Sequence, residues 1–276
     1  MDRTIGPVIT PELAERLLDS LSEIVAHASA AILDIPVAQA GQRTKDDQSP
    51  VTKADEASER IILEGLSKLL PGVPVIAEES AAGAPKAVEL SCAIVDPLDG
   101  TKEFLAGRDE YTVNIGLVTR GVPVAGVISA PLQGLLWRGI VGGKAERMRI
   151  DFKAGTAATD VTAIRARRSP GELTAAISRT HLDPRSEEFL SRLNVRQRYG
   201  CGSSVKFCHI AQGDADIYPR LAPTCEWDIA AGCAILAAAG GKVTDPVGND
   251  IHFARGADKF LVPGFIAWGD PAIAAV

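Results

Sequence analysis

The sequence predicts an α+β protein. Two amphipathic helical stretches open the chain, and a run of short apolar segments parted by Gly and Pro follows. From about residue 160 strand and helix signals alternate.

The first helix starts after Thr10, a natural N-cap, with Pro11 at the first helical position and Glu12 in the first turn. Leu13, Leu17, Leu21, Ile24, Ala28 and Ile32 recur at three- and four-residue steps and mark its buried face. Residues 38–49 are polar and read as a mobile loop. A second helix follows Thr52, turns Ala57, Ile61, Leu66 and Leu69 inward and stops at Pro71-Gly72. Strands are expected over 73–77 and 93–95, each running directly into acid, at Glu78-Glu79 and at Asp96. Further strands are expected over 111–118, 122–128 and 135–141, with Gly142-Gly143 as a hairpin turn. Later, Ser203 or Ser204 caps a helix ending near Gly213, and 217–218 reads as a short strand. Asp228 opens an Ala-rich helix closed by Gly240-Gly241, and 242–244 and 265–267 return to a sheet. The change of pattern divides the chain into an N-terminal α+β domain, 1–160, with most of the acids, and a C-terminal α/β domain, 161–276, with Asp228.

The 276 residues are 46% hydrophobic, ample for a packed core, and the net charge of −6 disfavours a nucleic-acid polymer or a membrane surface as partner. No basic region leads into an apolar run at the N-terminus, so no secretory signal is expected, and no stretch is apolar enough to span a membrane. The five cysteines form no C-x-x-C pair and read as small buried hydrophobes in a reducing cytoplasm. His27, His181, His209 and His252 are scattered and read as structural or surface residues, and Arg165-Ala166-Arg167-Arg168 reads as a solvated loop.

The informative stretch is Asp96-Pro97-Leu98-Asp99-Gly100-Thr101. A strand delivers Asp96 to its end, Pro97 turns the chain, and Asp99 points back, so that two carboxylates and a carbonyl converge. Hard cations such as Mg2+ take oxygen ligands of this kind. Gly100 lets the backbone approach a phosphate, the N–H groups that follow suit its oxygens, and Thr101 supplies a hydroxyl that polarises water. By itself the hexapeptide also has a plainer reading as an Asx-type turn, and helix-start acids such as Asp55 and Asp228 are ordinarily caps. Together, acids at so many element ends repel one another unless cations gather them.

In order, Val51-Thr52-Lys53-Ala54-Asp55, Glu78-Glu79, the Asp96–Thr101 stretch and Trp227-Asp228-Ile229-Ala230-Ala231-Gly232 resemble the motifs of the inositol monophosphatase superfamily. The resemblance implies a layered αβαβα sandwich of the inositol monophosphatase and sugar phosphatase type, and a Mg2+-dependent phosphomonoesterase. It implies that Glu78, Asp96 and the Leu98 carbonyl hold a first Mg2+ and that Asp96, Asp99 and Asp228 hold a second. Asp55, Glu78 and Thr101 form the implied catalytic set, with Asp55 and Thr101 orienting the attacking water and Asp55 available to a third, weaker metal. Substrate contacts are expected from Glu78, Leu98, Asp99, Gly100, Thr101 and Asp228. Paired metal ions about 4 Å apart activate water and stabilise the leaving alkoxide in an in-line displacement.

Three features resemble the 3'(2'),5'-bisphosphate nucleotidase branch of that superfamily. Lys102-Glu103-Phe104 follows Thr101, where inositol phosphatases usually show Thr-Asn-Phe. Gly202-Ser203-Ser204-Val205-Lys206 opens a helix, placing Ser203, Ser204 and Lys206 as substrate contacts, and Arg220 in Tyr218-Pro219-Arg220 suits a second phosphate. The implied reaction removes the 3'-phosphate of adenosine 3',5'-bisphosphate to give AMP, in sulfur assimilation and with sensitivity to lithium. The alternative is an inositol monophosphatase of broad specificity. The implied partner is a small nucleotide bisphosphate, and a homodimer and peripheral attachment to the inner membrane are both compatible with the sequence.

Overall fold

The computed structural model describes residues 7–45, 49–85, 87–179, 182–256 and 260–274. Residues 46–48 of the expected loop, and His181, lie outside them.

Helix α1 (Pro11–Leu33) starts as its sequence dictates, with Thr10 Oγ1 accepting the Leu13 N–H and Pro11 in the first turn. Its buried side is Ala14, Leu18, Leu21, Val25, Ala28 and Ile32; of the expected stripe Leu21, Ala28 and Ile32 are buried, while Leu13, Leu17 and Ile24 give way to Ala14, Leu18 and Val25. The shift follows from packing on two partners. α1 lies on a sheet and also against α2 (Lys53–Leu69), where half-buried Ile24 fills the space over Gly65 and would meet an added Cβ at 2.7 Å. Between the helices, the stretch expected as a mobile loop carries a short strand, β1 (Arg43–Thr44), which pairs antiparallel with β2 (Pro50–Val51) just beyond it.

A seven-stranded sheet runs in the order β3-β4-β5-β6-β7-β8-β9. Its strands are β3 (Val75–Ala77), β4 (Ser91–Asp99), β5 (Thr112–Thr119), β6 (Val122–Ala130), β7 (Leu135–Ile140), β8 (Ala145–Ile150) and β9 (Ala158–Ala163). Helix α3 (Thr101–Leu105) lies between β4 and β5. β3 is parallel to β4 and the remaining pairs are antiparallel. β4 is longer than the 93–95 segment the sequence suggests, because it does not stop at its acid. Asp96 pairs with Asn114 and Asp99 with Thr112, and the register shifts between them. The Pro97-Leu98 excursion is therefore an irregularity within a strand, the kind of local kink that re-aims side chains. Alternation along β4 sends Ala93 and Val95 to the core under α1 and α2, and Cys92 and Ile94 to the opposite core.

A five-stranded sheet, β11-β10-β12-β16-β14, follows. It comprises β10 (Leu173–Ser178), β11 (Val195–Cys201), β12 (Ile217–Arg220), β14 (Lys242–Thr244) and β16 (Phe265–Trp268), with β13 (Thr224–Cys225) and β15 (Leu261–Val262) as a separate pair. β11 had no apolar alternation to show itself by: as an edge strand it carries Arg196, Gln197 and Arg198 exposed. Helix α4 (Pro184–Ser191) packs on the outside, and α5 (Val205–Ala211) and α6 (Glu226–Ala238) fill the space between the two sheets. The result is a layered αβαβα sandwich. α6 lies on glycines of the large sheet; an added Cβ at Gly126 would sit 2.3 Å from the Ala231 carbonyl oxygen.

Cys92, Cys201, Cys208 and Cys233 are buried, free thiols, and Cys225 is half-buried. Arg165 and Arg168 are solvated as expected, whereas Arg167 departs from the loop reading: its guanidinium grips the buried Asp216 carboxylate at 2.6 and 2.8 Å. Among the described residues no helix is long and apolar enough to cross a membrane.

Candidate active site

Three elements deliver acids to one place. The β4 irregularity supplies Asp96 and Asp99, the first turn of α6 supplies Asp228, and the first turn of α2 supplies Asp55. One carboxylate oxygen from each of Asp96, Asp99 and Asp228 lies within 4.8 Å of the others. Each of these carboxylates is also held by the fold. Asp96 Oδ1 accepts the Leu98 N–H at 3.0 Å. Asp99 Oδ2 accepts both the N–H (2.6 Å) and the hydroxyl (2.5 Å) of Ser204. Asp228 Oδ2 accepts the Cys225 N–H at 2.9 Å and the Thr224 hydroxyl. Helix capping and site formation thus coexist at Asp228: Oδ2 caps the helix, and the carboxylate also belongs to the cluster.

Asp55 repeats the arrangement on α2. Its Oδ2 closes a capping box with the N–H (2.7 Å) and hydroxyl (2.6 Å) of Thr52, and its Oδ1 receives the Thr101 hydroxyl at 3.0 Å. The same Thr101 hydroxyl lies 3.3 Å from the Leu98 carbonyl. Gly100 makes the turn into α3 with φ of +94°, a left-handed conformation that glycine adopts without strain.

Glu78 sits beside this group with its Oε1 2.7 Å from Lys45 Nζ, and Glu79 Oε1 lies 2.6 Å from the same ammonium. Lys45 comes from the polar segment read as a loop, and nothing in its surroundings in the sequence marked it. Asn114, under the cluster, and the Glu110–Arg179 ion pair beside Gly202 were equally unmarked.

Electrostatics fit a divalent cation. Burial, partly offset by Lys45, pushes the Glu78 carboxyl up to about 7. Burial and the neighbouring Asp228 push Asp99 up to about 6, against the pull of Ser204. Asp96 is raised well above the usual range by burial and by the charges of Glu78, Asp99 and Asp228. Oxygen donors crowded this way are hard to ionise together unless a cation joins them.

The acids form one side of a cavity of about 660 Å³ whose lining includes Glu78, Asp99, Gly100, Thr101, Ser203, Ser204, Lys206, Arg220 and Asp228. Lys102 and Arg108 stand at its exposed rim. Lys206 is buried, with Nζ 2.7 Å from the Ser203 carbonyl and 3.4 Å from that of Cys201, so its charge braces the turn it follows. The Arg220 Nε is buried without a hydrogen-bond partner among the described residues, and its Nη2 lies 3.5 Å from the Pro223 carbonyl.

A five-layered sandwich with an acid cluster facing cations across a cleft defines a class of phosphate-processing proteins. The chain belongs to the inositol monophosphatase family, which it matches over residues 12–273. It is 38% identical over 252 residues to the Escherichia coli (strain K12) protein named 3'(2'),5'-bisphosphate nucleotidase CysQ, covering 90% of this chain and 98% of that protein. With the Salmonella typhimurium protein of the same name the identity is 39% over 259 residues, covering 90% of this chain and 98% of that one. Among solved structures it is similar to CysQ from Bacteroides thetaiotaomicron, described as a bacterial member of the inositol monophosphatase family. That similarity has a TM-score of 0.76 at 31% identity, covering 92% of this chain and 97% of that one.

Proposed function

We propose that this protein is a Mg2+-dependent phosphomonoesterase that removes the 3'-phosphate of adenosine 3',5'-bisphosphate, giving AMP and phosphate. The observation that carries the nucleotide reading is Arg220: a half-buried guanidinium whose buried Nε has no hydrogen-bond partner among the described residues, lining the cavity that the acids line. Burial opposes its charge, but Tyr218, Asp228 and Asp99 more than compensate and raise its pKa. A guanidinium in that state suits a phosphate that is not the one being cleaved. The relatives named CysQ, at 37–39% identity over nearly their whole length, support the same substrate class.

Glu78, Asp96, the Leu98 carbonyl, Asp99 and Asp228 would hold Mg2+ at two main positions, and a third, weaker ion fits beside Asp55. Bound there, Mg2+ lowers the pKa of water and neutralises phosphate oxygens. The chain's own part is orientation. The Thr101 hydroxyl donates a hydrogen bond to Asp55 Oδ1, which leaves its oxygen lone pairs to accept from the attacking water. Asp55 is buried enough for its pKa to be raised, which suits it to receive a proton through Thr101. The N–H groups of Gly100 and Thr101 suit the reacting phosphate. Ser203 and Arg220 suit the ribose side and the remaining phosphate, with Lys206 bracing Ser203.

The test is phosphate release from adenosine 3',5'-bisphosphate and from inositol 1-phosphate, side by side, with and without Mg2+. Mg2+-dependent release with the nucleotide strongly preferred is the expected result. A preference for inositol 1-phosphate would overturn the substrate assignment and leave the phosphatase standing.

A further inference from the structure

Ser204 stands in the cavity wall, but its polar groups are already spent. Its N–H and its hydroxyl both reach Asp99 Oδ2, and the hydroxyl also lies 2.6 Å from the Asp228 main-chain carbonyl. A serine hydroxyl has one proton. With two acceptors competing for that proton, the oxygen completes its bonding only by accepting from a third group. That group is Asn114, whose Nδ2 lies 3.1 Å from Ser204 Oγ.

Asn114 has no other evident purpose. It is 1% exposed in the middle of β5, opposite Asp96, and its Oδ1 has no partner among the described residues. An orphaned buried acceptor is destabilising, and an apolar side chain of similar size would avoid it. The donor is therefore what the residue contributes. An aspartate at 114 would have the wrong polarity, since it would accept from Ser204 and compete with Asp99 for the proton.

The loop that carries Ser204 is itself fastened. Ser203 holds a left-handed φ of +43°, Lys206 braces the Ser203 carbonyl, and Glu110 accepts the Gly202 N–H at 3.0 Å while paired with Arg179. Ser204 is thus held from the sheet side by Asn114 and from the chain by its own turn.

Resting on the metal-site reading above, we infer that Asn114 and Ser204 are positioning residues: a hydrogen-bond relay from β5 that fixes the orientation of Asp99 and ties it to the first turn of α6. With Oδ2 held by two donors, Asp99 presents Oδ1 to the cation in one orientation. The relay also makes the start of α5, which forms the substrate wall, part of the same unit as the metal carboxylates.

The test compares wild type with Ser204→Ala and Asn114→Ala by titrating Mn2+ against the metal-free full-length protein and following free Mn2+ by electron paramagnetic resonance. Groups that orient a ligand typically contribute about 10- to 100-fold in metal affinity, and a weakening of that size is expected at one site in both variants. The double variant is expected to bind no more weakly than Ser204→Ala, because both substitutions break one chain. In turnover, raising Mg2+ should recover most of the lost rate. Unchanged Mn2+ affinity with a raised KM for the nucleotide would make Ser204 a direct substrate contact and overturn the relay. A rate loss that Mg2+ does not recover, with a lowered Tm, would make both residues merely structural and also overturn it. A wild type that binds no Mn2+ would overturn the metal site itself, whereas equal affinity in wild type and variants would overturn the relay alone.

Discussion

The two sides of the cavity are built differently. The acid side is made from a strand irregularity and two helix first turns, and in each of Asp96, Asp99, Asp228 and Asp55 at least one oxygen is held by a donor of the fold. The opposite side is made from the turn before α5 and the end of β12, where Arg220 Nε has no partner among the described residues and Lys206 is turned inward on carbonyls. One side is finished in the absence of substrate, and the other keeps a donor in reserve. Groups on the finished side should act alike on every phosphate ester, and groups on the other should distinguish among them.

The strongest way to break that contrast is at Asp96, which lies under both implied cation positions. Asp96→Asn keeps the shape and removes the charge. The rate should fall on adenosine 3',5'-bisphosphate and inositol 1-phosphate alike, by more than the roughly 10²–10³-fold typical of losing one preorganised electrostatic group. Parallel steady-state kinetics on the two substrates measures this; near-wild-type turnover would remove the metal assignment.

Thr101→Ala probes the same side without touching charge. The rate should drop by about a hundredfold, the low end for acid–base assistance, on both substrates. Mn2+ affinity should stay at the wild-type level, since Thr101 donates to Asp55 and lies outside the Asp96, Asp99 and Asp228 cluster. A parallel fall in Mn2+ affinity would place the hydroxyl among the metal ligands instead.

Arg220→Ala should give the opposite signature. A charge-assisted hydrogen bond is typically worth about 1.5–3 kcal/mol, or roughly ten- to a hundredfold in kcat/KM. The loss should appear with adenosine 3',5'-bisphosphate and be nearly absent with inositol 1-phosphate, which has no second phosphate to grip. Equal losses on both would assign Arg220 to the fold.

The same contrast explains what could be read from the sequence. Asp96, Leu98, Asp99, Gly100 and Thr101 are close neighbours in the chain, and a strand end followed by a Pro and Gly turn brings them together by local geometry. Asp55 and Asp228 were legible as first-turn acids because capping is also local. Lys45, Asn114 and Glu110 act through partners at |i−j| of 33, 90 and 92, and no local pattern signals a contact of that reach. The strands expected over 73–77, 217–218 and 242–244 were legible because they are largely buried and apolar or flanked by glycine, whereas β9 and β11 are edge strands, the first exposed throughout and the second along most of its length. The face of α1 was shifted because periodicity reports one buried stripe, and this helix packs on a sheet and on α2 together.

The smallest expected effect tests where the acid side ends. Glu226 precedes Asp228 by two residues, is 2% exposed, and accepts the Ala254 N–H at 2.8 Å. Burial pushes its carboxyl up to about 7, with that hydrogen bond only partly opposing the shift. It is not among the clustered carboxylates, so its consequence should be stability rather than rate. With the folded pKa above the unfolded one, the native state binds the extra proton between about pH 4.5 and 7, and stability therefore falls as pH rises through that window and levels off above it. Glu226→Gln can still accept from Ala254 and carries no charge, so it should escape that fall, although its buried amide hydrogens offset part of the gain by about 1–3 kcal/mol. Thermal unfolding of both proteins in saturating Mg2+, at pH 5 and pH 8, measures the difference. The Tm of Glu226→Gln relative to wild type should rise by several degrees between the two pH values, as a change of 1 kcal/mol moves Tm by roughly 2–4 °C in a protein of this size. An offset that stays constant with pH would show that Glu226 ionises freely in the folded protein, and a shifted Mg2+ requirement would extend the acid side of the cavity to include it.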